Sequence, residues 1–332
     1  MNLPIIKCHG SGNDFVLIDE TDGELFTEIQ RPRLARLLCD RRRIIGADGV
    51  LFAQKSLRAD IRMRMFNADG SEPQTCGNGL RCIARFGAEK FGMSSLYIET
   101  MKGVSAATAE RDLTPGVSTF SVELGPISTE TKDIPLVIEY RTLVNSKLDA
   151  LSDTLLFSAI SAPNPHLIAI VNRININELK TLGSRVLELP DILPEGANLS
   201  FAQIIDDESL AVATFERGSG LTLSCGSAMG TSTLAACIAG HVSFGKWVSV
   251  FNRGGFVKAQ AINEGNDTYR VLLQGNATYV FRATIPIDAD HMVLENSFSG
   301  EACEDETSAY ENILRTGERV MSDLDNGREP II

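Results

Sequence analysis

Two stretches decide the reading of this chain: Phe66-Asn67-Ala68-Asp69-Gly70-Ser71-Glu72-Pro73-Gln74-Thr75-Cys76-Gly77-Asn78 and Phe215-Glu216-Arg217-Gly218-Ser219-Gly220-Leu221-Thr222-Leu223-Ser224-Cys225-Gly226-Ser227. Exactly the same interval separates phenylalanine from cysteine in both, and an offset of 149 residues carries Phe66 to Phe215 and Cys76 to Cys225. Before each lies a β run: Ile61, Met63 and Met65 alternate with Arg62 and Arg64 in the first, and Ala211–Glu216 forms the second. A glycine-containing loop follows, and then Thr/Ser-Cys-Gly-polar opens an apolar helical stretch, Leu80–Phe86 or Thr231–Ala239. A pattern recurring at one fixed offset marks a duplicated structural unit.

The flanking sequence extends both copies. Pro4–Lys7 and Phe15–Asp19 read as strands joined by a tight turn over Gly10-Ser11-Gly12-Asn13-Asp14. Gln30–Cys39 has Leu34, Leu37 and Leu38 at helical intervals. Short β runs follow at Leu96–Thr100, Ser105–Ala109 and Ser118–Glu123, then in the second half at Ile168–Val171, Leu199–Ile205, Val248–Phe251, Phe256–Ala261 and Arg270–Leu273. Many short strands with few helices imply an α+β fold, not alternating βαβ units. The expectation is two pseudo-symmetric domains, each a curved β structure around a central helix, with the active site in the interdomain cleft. The first domain takes residues 1–127 and regains a strand at about 278–286; the second takes 128–277. Residues 287–332 form an acidic extension, where twelve acids face three arginines. Apart from a short helix over Tyr310–Val320, it reads as solvated, weakly ordered chain that chemistry does not need.

Of the net charge of −12, that extension carries −9, so the body is nearly balanced. No basic stripe is available for a phosphate backbone or an anionic membrane, which leaves a small molecule as the expected partner. The seven cysteines are irregularly spaced and include no CxxC pair of the zinc or thioredoxin kind, so no metal site is expected. Met1–Asp14 lacks a signal-peptide pattern, and no apolar run approaches the roughly 20 residues that span a bilayer. Reduced thiols in a cytoplasmic protein follow as the expectation. Whether the chain forms a homodimer stays open.

A cysteine at a helix mouth feels the positive end of the backbone dipole, which favours thiolate. The same mouth presents unpaired N–H groups to a carboxylate, and Gly77 and Gly226 let that ligand come close. Two such units suit stereoinversion: one thiolate removes an α-proton while the other thiol delivers a proton to the opposite face. A single buried cysteine is ordinarily a small hydrophobe, and Cys8, Cys39, Cys82, Cys237 and Cys303 are read that way. Cys76 and Cys225 differ because they share turn, offset and flanking glycine.

The blocks Lys7-Cys8-His9-Gly10-Ser11-Gly12-Asn13-Asp14-Phe15, Gly46-Ala47-Asp48-Gly49, Met65-Phe66-Asn67-Ala68-Asp69-Gly70-Ser71-Glu72, Cys76-Gly77-Asn78-Gly79-Leu80-Arg81-Cys82, Asn164-Pro165-His166 and Glu216-Arg217-Gly218-Ser219-Gly220 closely resemble diaminopimelate epimerases. The resemblance runs in order from about Pro4 to Ile285. It implies a cofactor-independent enzyme with Cys76 and Cys225 as the acid/base pair and His166 and Glu216 assisting thiol–thiolate proton exchange. The backbone at Gly77-Asn78 and Gly226-Ser227 would cradle the reacting carboxylate. Asn13, Asn67, Asn164, Asn198, Glu216 and Arg217 would hold the substrate, including its distal amino-carboxylate end. The implied reaction interconverts LL- and meso-diaminopimelate, in lysine and peptidoglycan precursor synthesis.

Three departures from the family pattern stand out: Ala228 where a glycine is usual, bulky Met229 beside it, and Asn276 where a proline is usual. The nearest rival is a racemase of the same fold acting on another amino acid such as histidine, which would not need the Asn67, Asn198 and Arg217 set. A thiol redox switch or a non-catalytic amino-acid-binding module is the rival from another class. Gly10-Ser11-Gly12 is not a GxGxxG dinucleotide fingerprint, and no phosphate cup with a Schiff-base lysine stands out.

Overall fold

Alternating burial along Ile61–Asn67 and an unbroken buried run along Gly49–Gln54 show the two kinds of strand from which this protein is built. The computed structural model describes residues 1–294, 299–330 and 332. In chain order the elements are β1 (Asn2–Gly10), β2 (Asn13–Glu20), α1 (Gln30–Cys39), β3 (Gly49–Gln54), β4 (Ile61–Asn67), α2 (Gly77–Phe91), β5 (Ser95–Thr100), β6 (Gly103–Glu110) and β7 (Thr119–Leu124). Then come β8 (Ser146–Leu148), β9 (Ser152–Ser161), β10 (Pro165–Ile170), α3 (Ile176–Leu187), β11 (Asn198–Asp206), β12 (Ser209–Glu216), β13 (Gly220–Leu221), α4 (Gly226–Ile238), β14 (Val248–Asn252), β15 (Gly255–Gly265) and β16 (Thr268–Asn276). The chain ends with β17 (Thr278–Asp288), β18 (Val293–Leu294), β19 (Ser299–Ala302) and α5 (Glu304–Asp325).

The chain divides into two compact units. Unit 1 is Met1–Val122 with Gly275–Asn312, and unit 2 is Glu123–Gln274 with Ile313–Ile332. In unit 1, β1–β2 is antiparallel, β2–β3 parallel, β3–β4 antiparallel, β4–β5 parallel and β5–β6 antiparallel. Unit 2 repeats that sequence of senses through β9–β10, β10–β11, β11–β12, β12–β14 and β14–β15. The duplication seen in the sequence is therefore a duplication of topology. Each unit wraps its strands around one helix, α2 in unit 1 and α4 in unit 2. Small residues allow this in α4, where a Cβ on Gly230 would stand 2.7 Å from Leu124.

Several elements had no clear sequence signature. Helix α3 is capped by the Asn175 side chain, which accepts from the N–H groups of Asn177 and Glu178, and it buries Leu179, Leu182 and Val186. Strand β3 is buried along its whole length and so lacks the alternation that marks a half-exposed strand.

The acidic extension is a correction. Residues 295–298 and 331 of it lie outside the described residues, but α5 is a continuous 22-residue helix. Its first turn carries Glu304, Asp305 and Glu306, where the helix dipole favours negative charge. Glu306 pairs with Arg85 through bonds of 2.5 and 2.7 Å and accepts from the Tyr279 N–H. Tyr310, Ile313, Val320, Met321 and Leu324 are buried at helical intervals, the last three in the core of unit 2. A high acid count hid an apolar stripe. Among the described residues no helix is long and apolar enough to cross a membrane.

Because Ile313 is 1% exposed, Ile313→Ala should destabilise the protein by about 2–4 kcal/mol. Urea unfolding followed by circular dichroism measures this, and an unchanged midpoint would return the helix to the status of a solvated appendage.

Candidate active site

In unit 1 the first turn of α2 meets the turn between β1 and β2. Ser11 and Gly12 adopt left-handed backbone, with φ of 53° and 78°, and deliver Asn13 to the start of β2. Cys76 is the N-cap of α2, and its sulfur accepts from the Gly79 N–H at 3.4 Å. The Cys76 thiol also lies 3.9 Å from Asn13 Oδ1, which accepts from Asn78 Nδ2 at 3.3 Å. On its other side Asn13 Nδ2 donates to Asp48 at 2.8 Å. Asp48 is in turn paired with Arg41, which also holds Asp14. The structure thus brings Asn13, Cys76, Gly77 and Asn78 together. Asn67, at the end of β4, is engaged with Ser71 Oγ at 2.9 Å.

Unit 2 places its residues on equivalent elements. Cys225 is the N-cap of α4, with its sulfur 3.5 Å from Ser227 Oγ. Glu216, at the end of β12, lies close enough to the Cys225 thiol to raise its pKa, and it accepts from Thr222 Oγ1 at 2.5 Å. Asn198 Oδ1 accepts from the Arg217 N–H at 2.9 Å, and the Arg217 guanidinium reaches the Glu195 carbonyl. His166 stands opposite Asn198 in the β10–β11 register, fully buried, with neither ring nitrogen partnered. Asn164 precedes β10 and closes its turn, its carbonyl accepting from the Ala162 N–H.

Burial governs the protonation of these groups. Desolvation pushes the Cys76 thiol up to about 11, against the Gly79 and Asn78 N–H groups and the Arg81 charge, which pull it down. Cys225 is likewise raised, by desolvation and then by the neighbouring Glu216 charge. The helix-mouth argument had pointed to depressed thiols. At Cys76 the N–H groups and the Arg81 charge do favour the thiolate, but loss of water outweighs them. Glu216 is itself raised by desolvation, and burial lowers His166 to about 3.

Comparison with known proteins identifies the family. Residues 5–128 and 158–280 match the family described as diaminopimelate epimerase. The diaminopimelate epimerase of Clostridium acetobutylicum is 40% identical over 311 residues, 93% of either chain, and that of Enterococcus faecalis is 38% identical over 84% of this chain and 87% of its own. The chain belongs to the diaminopimelate epimerase family. At the level of fold alone, it is similar to a Bacillus anthracis phenazine biosynthesis protein of the PhzF family, with a TM-score of 0.62, 17% identity and coverage of 86% of this chain and 100% of that one. It is likewise similar to a hydroxyproline epimerase from Agrobacterium vitis, with a TM-score of 0.57, 14% identity and coverage of 87% and 92%.

The departures from the diaminopimelate epimerase pattern have local explanations. Ala228 is fully buried in the first turn of α4. Met229 receives a contact from Asn252 Nδ2 at its sulfur, 3.0 Å away. The Asn276 side chain accepts from the Ser11 N–H at 2.7 Å and donates to the His9 carbonyl, so it ties down the β1–β2 turn. Sequence reasoning missed Thr222 and left Asp48 without a role, although each orients a candidate residue. Both lie within or beside the quoted blocks, and only their partners distinguish them.

Since the Glu216 carboxyl is raised when folded, its ionisation opposes folding, and that penalty grows as pH rises through the folded value. Glu216→Gln should therefore be more stable than the parent at pH 8, with the gain gone once pH falls below the ordinary value of 4.5. Urea unfolding at both pH values tests this; equal stability at pH 8 would show that the buried carboxylate carries no penalty.

Proposed function

We propose that this chain interconverts LL- and meso-diaminopimelate without a cofactor, using Cys76 and Cys225 as a two-base pair. The observation that carries the reading is the repeated half-site: each unit ends a strand, turns through a loop and caps its central helix with a cysteine. Relatives named diaminopimelate epimerase align over nearly the whole chain and support the choice of substrate.

In this reading the N–H groups at Gly77-Asn78 and Gly226-Ser227 receive the reacting α-carboxylate, holding the charge that develops as the α-proton leaves. In one direction Cys225 passes its proton to Glu216, whose raised pKa makes it a better acceptor than an ordinary carboxylate. The resulting thiolate takes the α-proton from one face, and the Cys76 thiol delivers its own proton to the other. In the opposite direction the Cys76 thiolate is the base and the Cys225 thiol the acid. His166 assists the exchange at Cys225. Asn13, Asn67, Asn164, Asn198 and Arg217 hold the substrate and its distal amino-carboxylate end. The reaction belongs to lysine and peptidoglycan precursor synthesis, and the enzyme works in the cytoplasm.

Incubated with LL-diaminopimelate in deuterium oxide, the protein should form the meso isomer and place solvent deuterium at the inverted α-carbon. Cys76→Ala and Cys225→Ala should each lower inversion by roughly 10²–10⁴-fold or more. Turnover of L-histidine in place of diaminopimelate would move the assignment to another racemase, and a single-cysteine variant inverting at the parental rate would remove the two-base pair.

A further inference from the structure

Arg81 is fully buried in the second turn of α2. Its Nε donates to the Asn276 carbonyl at 3.0 Å, and its Nη2 donates to Ser11 Oγ at 2.9 Å and Asn78 Oδ1 at 3.0 Å. Nη1 has no partner among the described residues. The β1–β2 turn rests directly on this group, since a Cβ on Gly10 would stand 2.9 Å from Nη2. Among the described residues, the three bonds that Arg81 makes are to neutral oxygens.

A guanidinium does not lose its proton in a protein. Buried without a carboxylate, it is a charge whose desolvation is poorly compensated. The groups near it that can carry negative charge are the thiols of Cys76 and Cys82 on its own helix and the Tyr310 phenol of α5. His9 of β1 feels the Arg81 charge together with those of Lys7, of Asp14 in β2 and of Glu306 in α5, and burial keeps that imidazole neutral near neutral pH by lowering it to about 4. Cys82 is fully buried, whereas Cys76 is only partly so. At the position 149 residues on, α4 carries Gly230, so the second half-site has no counterpart to this cation.

We propose that Arg81 is a positioning residue of the unit 1 half-site, tying Ser11 of the β1–β2 turn to the Asn78 side chain while supplying the buried positive charge that compensates a Cys76 thiolate. Two links make up the device. The fork fixes Asn78, which in turn orients Asn13 beside the sulfur. The charge favours the ionised thiol through a medium from which water is largely excluded. The inference rests on the reading that Cys76 ionises during turnover.

The test follows Cys76 itself. In the full-length protein, the rate of Cys76 alkylation by iodoacetamide is measured against pH by peptide mapping, beside diaminopimelate turnover. Arg81→Gln should move the midpoint of the alkylation profile upward by about one pH unit or more and reduce kcat at least about tenfold. Arg81→Lys keeps the charge but not the fork, so its midpoint should stay within about half a unit of the parent's while kcat still falls. An unshifted midpoint in folded Arg81→Gln overturns the proposal. Should that variant not fold, Arg81→Lys decides: parental kcat, or a midpoint as high as that of a charge-free site, overturns it. The alkylation profile involves no substrate, so a protein inactive on diaminopimelate whose midpoint still shifts retains this inference and loses the proposed reaction.

Discussion

A sulfur at the mouth of a buried helix faces backbone N–H groups and loses water, and in both halves of this chain the loss of water dominates. For Cys76, held at about 11, forming the thiolate at neutral pH takes on the order of 5 kcal/mol. That requirement explains much of the surrounding construction. Water must be kept from the thiol if electrostatic contacts are to be strong, yet the same exclusion opposes the charge on which a base depends. Positive charge, fixed N–H groups and a nearby proton acceptor are the available remedies, and the two units use different ones.

Their difference is clearest where the duplicated positions diverge. The register partner of Asn198 in β10 is His166, whereas its counterpart Gly49 in β3 faces Phe15. Glu216 ends β12 where Asn67 ends β4, and Arg81 in α2 becomes Gly230 in α4. Unit 2 therefore has a carboxyl beside its thiol and a buried histidine on β10, while unit 1 offers amides and a permanent cation. Stereoinversion requires one sulfur to be basic while the other is acidic. Duplication supplies the two cysteine-capped helices, and divergence at these few positions removes the equivalence that would leave both sulfurs in the same protonation state.

What could be read from the sequence follows from the same distinction. The α+β class, the duplicated order of elements and most half-exposed strands were visible because period-two alternation and a fixed offset are local or one-dimensional signals. Strand β3 was not, since burial on both faces erases alternation, and of α5 only Tyr310–Val320 was, because the acidic residues on either side of that stretch read as solvated chain. At the site, the cysteines and glycines announced themselves by their repeat. Thr222 and Asp48 did not, because a side chain that matters through one hydrogen bond has no periodicity. Nor does a motif disclose the sign of a pKa shift: dipole and N–H groups are implied by Cys-Gly at a helix mouth, whereas the depth of burial that outweighs them is a property of the assembled unit.

Support for the unit 1 half-site comes from distant parts of the chain. The turn that presents Asn13 is tied down by Asn276, at the end of β16, and His9 within β1 is covered edge-on by the Tyr310 ring at 4.4 Å. Where a proline would fix its own backbone, Asn276 instead fixes the backbone of its neighbours, through Ser11, His9 and Thr278. Tyr310 lies beyond the residues that match the family. Its contact with His9, together with the Arg85–Glu306 pair, makes the first half of α5 part of the unit that holds Cys76. The two cysteine-capped turns recur within the repeat, but the contacts that hold the unit 1 turn in place come from segments the repeat does not contain.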